Sequence, residues 1–246
     1  MEGKVAIVTG GASGIGKAIA DRLADRGYTV VVCDINEEKG RALEKVSNKV
    51  KGTYVFKYCN VGEEEDFRRV VEEVEREYGG ISVLVNNAGI IRRRKGEEIK
   101  ISDWDDVFKI NTRGAFIFCK YVSEVMKKQK SGRIINISSV ASKMGDITSA
   151  PGYGPSKAAV NGLTKTFARE LAPYNITVNA VAPHAIETEM SAEWSEEMRQ
   201  KIISEIPLKR LGQPSEVAAV VEFLVSDEAG FITGEIIDVN GGFLMD

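Results

Sequence analysis

Histidine is almost absent: His184 is the only one in 246 residues. One imidazole excludes a multi-histidine metal centre, and a Ser-His-Asp hydrolase would have to use His184 with no Gly-x-Ser-x-Gly elbow upstream of it. Cysteine is scarce as well. Cys33, Cys59 and Cys119 are too far apart for zinc-ligand pairs and too few for a disulfide framework, so they read as buried thiols in reducing surroundings. Neither sign of charge dominates. With 33 basic and 36 acidic residues interspersed and a net charge of -3, the chain carries no footprint for nucleic acid or an anionic membrane. The one basic run, Arg92-Arg93-Arg94-Lys95, is followed by Glu97-Glu98 and reads as a solvated loop, with an anionic-ligand patch as the other reading. No apolar run approaches the ~18 residues of a membrane span. The first strand begins within a few residues of the N-terminus, where a signal peptide would lie, so the expected location is cytoplasmic.

What the chain does have is alternation. Val5–Thr9 and Thr29–Cys33 are short apolar runs of the fully buried, parallel-strand kind, separated by glycines and a helical pattern through Ile19 and Leu23. Further helices are expected near 37–46, 63–78, 102–128, 154–171 and 214–226. Further strands are expected near 54–59, 81–85, 133–138, 176–182 and 235–239. Strands alternating with helices imply right-handed crossovers, hence an α/β fold: a doubly wound, seven-stranded parallel sheet with helices on both faces. Residues 1–246 are expected to form a single domain. Its regularity lapses at about 184–212, which reads as a substrate lid containing one or two short helices such as Ser195–Ile203.

The first strand runs into Thr9-Gly10-Gly11-Ala12-Ser13-Gly14-Ile15-Gly16. Gly10, Gly14 and Gly16 permit a tight turn, let backbone N–H groups approach a pyrophosphate, and allow close helix packing, so a phosphate meets the positive end of the helix. Asp34 ends the second strand, eighteen residues after Gly16, near the spacing of an acid that accepts from adenosine ribose hydroxyls. A carboxylate there repels a 2'-phosphate, and neither position 13 nor position 35 holds a cation to offset it. The cofactor expected is therefore NAD(H) and not NADP(H). The competing reading is that Asp34 only caps the turn into Asn36-Glu37.

Tyr153-Gly-Pro-Ser-Lys157 sets a phenol and an ammonium four residues apart, on one helix face. A free Tyr titrates near ~10, so a neutral-pH proton carrier needs a cation beside it. Joined to T-G-x3-G-I-G at 9–16, Asn86-Asn87-Ala88-Gly89 after the fourth strand, Asn111, and Ile137-Ser138-Ser139 ending the fifth, this pattern resembles the short-chain dehydrogenase/reductase family over essentially the full length. The resemblance implies a Rossmann-like fold and a secondary alcohol/ketone oxidoreductase that needs no metal. It implies Tyr153 as general acid/base, Lys157 on the nicotinamide ribose and lowering the Tyr pKa, Ser139 on the substrate oxygen, and Asn111 holding a relay water. Ser138 is the alternative hydroxyl, and Asn111 could instead only interrupt its helix. Gly10, Ser13, Gly14, Ile15 and Gly16 would line the pyrophosphate turn, and Asn60 and Val61 would meet adenine. Asn87 and Ala88 would lie beneath the adenosine half, with Gly89 just beyond, and Pro183, Ile186 and Thr188 at the nicotinamide. Asn87 could equally brace neighbouring strands, and Thr188 could be a helix cap. Homotetramers are usual in the family, so one is expected here.

Three departures from the family pattern stand out. Position 60 is Asn where Asp is common, Ser139 to Tyr153 spans one residue more than expected, and Ala182-Pro183-His184 replaces a Pro-Gly, placing an imidazole near the active site. The carrier-protein-linked 3-oxoacyl reductases of the family mostly use NADPH, which Asp34 argues against, and an NAD enzyme more often runs toward oxidation. The expected substrate is accordingly a sugar, polyol or similar hydroxy compound. A 3-oxoacyl-[acyl-carrier-protein] reductase is the alternative, with Lys127, Lys128, Lys130 and Arg133 facing the acidic carrier. A non-catalytic dinucleotide sensor is the rival from another class. Ile91, Met144, Trp194 and Met198 are candidates for a partly apolar substrate pocket.

Overall fold

In the computed structural model, which describes residues 4–94, 96–145, 149 and 151–245, seven strands form one parallel sheet. They are β1 (Val5–Thr9), β2 (Thr29–Asp34), β3 (Thr53–Tyr58), β4 (Val83–Asn86), β5 (Gly132–Ile137), β6 (Ile176–Pro183) and β7 (Ile236–Val239), in the order β3-β2-β1-β4-β5-β6-β7. The order reverses between β1 and β4. At such a switch point the crossovers diverge to opposite faces and leave a crevice at the carboxyl ends of the strands.

Ten helices accompany the strands among the described residues: α1 (Gly14–Asp25), α2 (Glu37–Glu44), α3 (Glu64–Tyr78), α4 (Ile101–Phe108), α5 (Gly114–Gln129), α6 (Ala141–Met144), α7 (Tyr153–Leu171), α8 (Glu189–Ala192), α9 (Glu196–Glu205) and α10 (Pro214–Val225). The period-two alternation of the strands sends Ala6, Val8, Val30 and Val32 to one face, against Ile19 and Leu23 of α1 and Val217 and Val221 of α10. Val5, Ile7, Val31 and Leu84 face the other way, onto Phe67 and Val70 of α3, Phe118 and Val122 of α5, and Leu171 of α7. Burying both faces explains why the strands read as continuous apolar runs. Arg22 of α1 and Arg26, its C-cap residue, both pair with Glu222 of α10, which pins the two helices that cover the first face.

Two sequence expectations are refined. The single helix at 102–128 is two helices, α4 and α5, joined by a π-helical turn at Lys109–Arg113. The segment 184–212, expected to be a lid, holds α8 and α9, the latter capped by Ser195, whose hydroxyl accepts from Met198 N at 3.2 Å. Ile202, Ile206 and Leu211 close a small apolar cluster with Ala185, so this segment carries its own core. Among the described residues, no helix is long and apolar enough to cross a membrane.

Candidate active site

At the carboxyl ends of β1, β4, β5 and β6 lies a cleft of about 520 Å³. One wall is the glycine turn. Gly10 and Gly14 have φ of +61° and +52°, which a side chain would strain, and a Cβ on Gly16 would overlap the Gly10 carbonyl oxygen. The N-cap of α1, Ser13, makes no side-chain capping bond, and the first turn has no acidic residue. Its N–H groups are thus left for an anion, the arrangement a diphosphate requires. Asn87 Nδ2 donates to Thr9 O at 3.0 Å and Gly10 O at 3.1 Å, while Thr9 Oγ1 accepts from Asn87 N and Ala88 N, both at 3.0 Å. Asn87 therefore braces the turn and also lines the cleft.

Asp34 serves as a turn cap and as a wall of the cleft. One carboxylate oxygen accepts from Ala12 N at 3.0 Å and the other from Asn36 N at 2.9 Å, which fixes its orientation. A carboxylate offers about four acceptor sites, so capacity is left for ribose hydroxyls. The described cations that line the cleft, Lys157 and Arg93, are engaged elsewhere, by Ile137 O and Met190 O. Asn60 lines the cleft, and its Oδ1 accepts from Gly62 N at 2.9 Å.

The reacting end is built by α7 and the strand ends. Lys157 is fully buried, its Nζ donating to Ile137 O at 2.7 Å and lying 5.8 Å from the Tyr153 ring centroid. Burial lowers its pKa to about 8. Ser138 is buried and turned away, its hydroxyl toward Lys157 O at 3.4 Å. Ser139 Oγ accepts from Ala141 N at 3.1 Å, which leaves its O–H proton to donate into the cleft. Asn111 stands in the π-turn, its Oδ1 accepting from Ile90 N at 2.8 Å and its Nδ2 donating to Ile90 O at 3.0 Å and Ser156 Oγ at 3.1 Å. Ser156 Oγ donates in turn to Tyr153 O at 2.7 Å. The side chain of Asn111 thus ties the loop after β4 to the turn that carries Tyr153.

The cleft gathers nearly every residue expected of it: Gly10, Ser13, Gly14, Ile15, Asp34, Asn60, Val61, Asn87, Ala88, Gly89, Ser139, Tyr153, Lys157, Pro183, Ile186 and Thr188. Gly16 and Asn111 are not on its wall, since the first packs under Gly10 and the second lies behind Gly89. Thr188 lines the cleft as the N-cap residue of α8. Ile91, Met144 and Trp194 line it, but Met198 packs in the lid cluster instead. The inserted loop Ala141–Gly152 is described only in part, with 146–148 and 150 outside the described residues.

Sequence reasoning missed four participants. Arg93 does not belong to a solvated loop: it donates to Met190 O at 2.9 Å, pairs with Glu193 and lies 5.7 Å from the Trp194 ring, while Arg92 and Arg94 turn to Asp103 at 3.6 Å. Lys95 lies outside the described residues. Phe243 reaches the cleft from the far end of the chain and stacks on His184 at 3.8 Å. Ile137 contributes a carbonyl, to which no side-chain pattern points. Thr9, next to the legible glycines, could have been found as the residue that must satisfy the backbone at the switch point.

A family profile described as enoyl-(acyl carrier protein) reductase matches residues 10–244. The chain is 44% identical over 243 residues to a 3-oxoacyl-[acyl-carrier-protein] reductase of Aquifex aeolicus, covering 98% of each. It is 44% identical to the enzyme of that name from Thermotoga maritima (100% of this chain, 99% of the relative) and 42% identical to that of Vibrio cholerae (100% and 99%). These similarities overturn the expectation of a sugar, polyol or similar hydroxy substrate. That expectation was drawn from Asp34 alone, whose carboxylate is held by Ala12 N and Asn36 N at the end of β2. Ile91, Met144, Met190, Trp194, Ile202 and Phe243 line the cleft with apolar surface, which suits an acyl chain better than a polyol.

Proposed function

The chain belongs to the short-chain dehydrogenase/reductase family, and we propose that it reduces the ketone of a 3-oxoacyl thioester to the 3-hydroxyacyl thioester, with NADH as the reductant. The observation that carries the reading is the joint presence, on one cleft with an apolar wall, of the glycine turn, Asp34, Ser139, Tyr153 and Lys157. The dinucleotide, when bound, supplies the hydride. The uncapped end of α1 and the glycine turn hold its diphosphate, and the Asp34 carboxylate accepts from the ribose and repels a 2'-phosphate. Asn60, Val61, Asn87, Ala88 and Gly89 support the adenosine half. Pro183, Ile186 and Thr188 flank the nicotinamide.

Ser139 donates to the ketone oxygen and stabilises the negative charge that develops there. Tyr153 delivers the proton to that oxygen and is left as phenolate, which the Lys157 ammonium stabilises from below. Asn111 positions Tyr153 through Ser156, and we assign it the water of the proton relay. The whole chain acts as one catalytic domain, with 184–212 as its lid.

Lys127, Lys128 and Arg133 are paired with Glu170, Glu75 and Asp227, so carrier docking does not rest on their being available. We place the protein in the cytoplasm, where its three buried free thiols remain reduced, and propose a homotetramer, supported by the exposed Phe223 and Phe231 near the edge strand β7. The test is product analysis: a carrier-linked 3-oxoacyl thioester and NADH should give the 3-hydroxyacyl thioester. Tyr153→Phe should lower kcat by ~10²–10⁴-fold with NADH binding retained. Turnover undiminished in that variant, or no thioester product from the native enzyme, would overturn the reading.

A further inference from the structure

We infer that His184 and Trp194 form a second carbonyl-binding subsite, which selects acyl thioesters by donating hydrogen bonds to the thioester oxygen at C1. The inference rests on the proposed reduction of 3-oxoacyl thioesters and names the residues that distinguish such a substrate from a simple ketone. It starts from two orphaned atoms. Among the described side chains lining the cleft, His184 Nε2 and Trp194 Nε1 are buried without any hydrogen-bond partner. Buried polar atoms are nearly always paired, so two unpaired ones among the residues that line one cleft point to a partner that arrives with the ligand.

Both groups are held in place by contacts other than hydrogen bonds of their rings. The backbone of His184 is fixed by its N–H to Val239 O at 3.1 Å, and its imidazole is stacked on Phe243 with an interplanar angle of 14°. Trp194 carries the Arg93 guanidinium 5.7 Å from its ring, and Arg93 is itself anchored to α8 through Met190 O. A glycine at position 184 would offer neither ring nor donor.

Register places His184 next to the end of β5. Ile137 is opposite Val181, and Val140 N donates to Pro183 O at 3.0 Å, so β6 delivers His184 beside Ser139 and Val140. Neighbouring strands lie ~4.8 Å apart, a separation that one 1,3-dicarbonyl unit bridges. With its ketone oxygen on Ser139 and Tyr153, a 3-oxoacyl thioester brings its C1 oxygen toward the His184 side. That oxygen sheds water on entry and must find donors. It has two lone pairs, and the subsite has two donors: the indole N–H, which can only donate, and the imidazole in its Nε2–H tautomer. The surroundings of His184 also keep its ring neutral, since burial lowers its pKa to about 4.

The experiment is a chemical deletion crossed with a side-chain deletion. NADH-loaded enzyme is titrated calorimetrically with a 3-hydroxyacyl pantetheine thioester and with the corresponding thioether, which lacks only the C1 oxygen. The native enzyme should bind the thioester at least about tenfold more tightly. In His184→Leu and in Trp194→Phe this gap should shrink by about fivefold or more, and His184→Gln, which restores a donor, should recover most of it, with the affinity for NADH unchanged throughout. A gap that is absent in the native enzyme, or that persists in both deletions, overturns the subsite. Loss of NADH affinity in His184→Leu overturns it too, by assigning the imidazole to the nicotinamide. Should His184→Leu fail to fold, Trp194→Phe and His184→Gln decide the outcome alone. Turnover of the 3-oxoacyl thioester is scored separately, so failure of the proposed reaction is distinguishable from failure of the subsite.

Discussion

At the scale of single residues, burial decides the protonation of the two basic groups nearest the chemistry. His184 is held at about 4 against its ordinary 6.5, and Lys157 at about 8 against 10.5, both through loss of hydration. The signs of the resulting stability effects follow from linkage. The folded chain refuses the His184 proton that the unfolded chain accepts, so this group leaves stability untouched above about 6.5 and erodes it as the pH falls from 6.5 to 4. For Lys157 the folded state releases its proton first, and stability from this group rises as the pH climbs from about 8 to 10.5. Because His184 is the only histidine, its imidazole resonances need no assignment. Their titration in the apo protein should have a midpoint near 4, and an ordinary midpoint near ~6.5 would show that the ring is hydrated and not buried against Phe243.

At the scale of elements, the site depends on how β1 and β4 are tied together where their crossovers part. Thr9 Oγ1 accepts from Asn87 N and Ala88 N at 3.0 Å and donates to Val85 O at 3.4 Å, all in a buried setting. Thr9→Val keeps the shape and removes all three bonds, leaving two backbone N–H groups unpaired. The variant should lose about 2–4 kcal/mol in denaturant unfolding and bind NADH more weakly, since the glycine turn leans on the same residues. A change below ~0.5 kcal/mol, within the range of neutral surface substitutions, would mean that the switch point does not rely on Thr9. What was legible in the sequence at this scale was what spacing alone conveys. The glycine turn, Asp34 at a strand end and the Tyr153/Lys157 pair are each set by one element or its end, so their periodicity gave their placement. The break in the helix at 102–128 was open in the sequence only as one of two readings of Asn111, because the bond between its side chain and Ile90, twenty-one residues away, has no local signature. Phe243, the Arg93–Trp194 contact and the Ile137 carbonyl are products of tertiary folding and have no local signature. Substrate class was misjudged for a related reason: the residue used to infer it, Asp34, and the apolar residues of the lining, such as Trp194 and Phe243, come from different elements around one cleft.

At the scale of the whole molecule, the carboxyl ends of the strands gather the glycine turn, Asp34, Ser139, Tyr153 and Lys157 around one cleft. Phe231 is fully exposed and Phe223 partly so, surface that a subunit interface would cover. Sedimentation at micromolar concentration should give about four times the 26.9 kDa mass of the chain, and a monomer would contradict the tetramer. The central claim joins the two ends of the cleft: a 3-oxoacyl thioester reduced at Tyr153, with NADH selected at Asp34. It is tested most directly by measuring kcat/KM for one carrier-linked 3-oxoacyl thioester with NADH and with NADPH, side by side. The account expects efficient reduction with NADH and at least about tenfold less with NADPH, the scale of one unfavourable contact of a charged group. Preference for NADPH would contradict the role of Asp34, and no reduction with either dinucleotide would contradict the reaction itself.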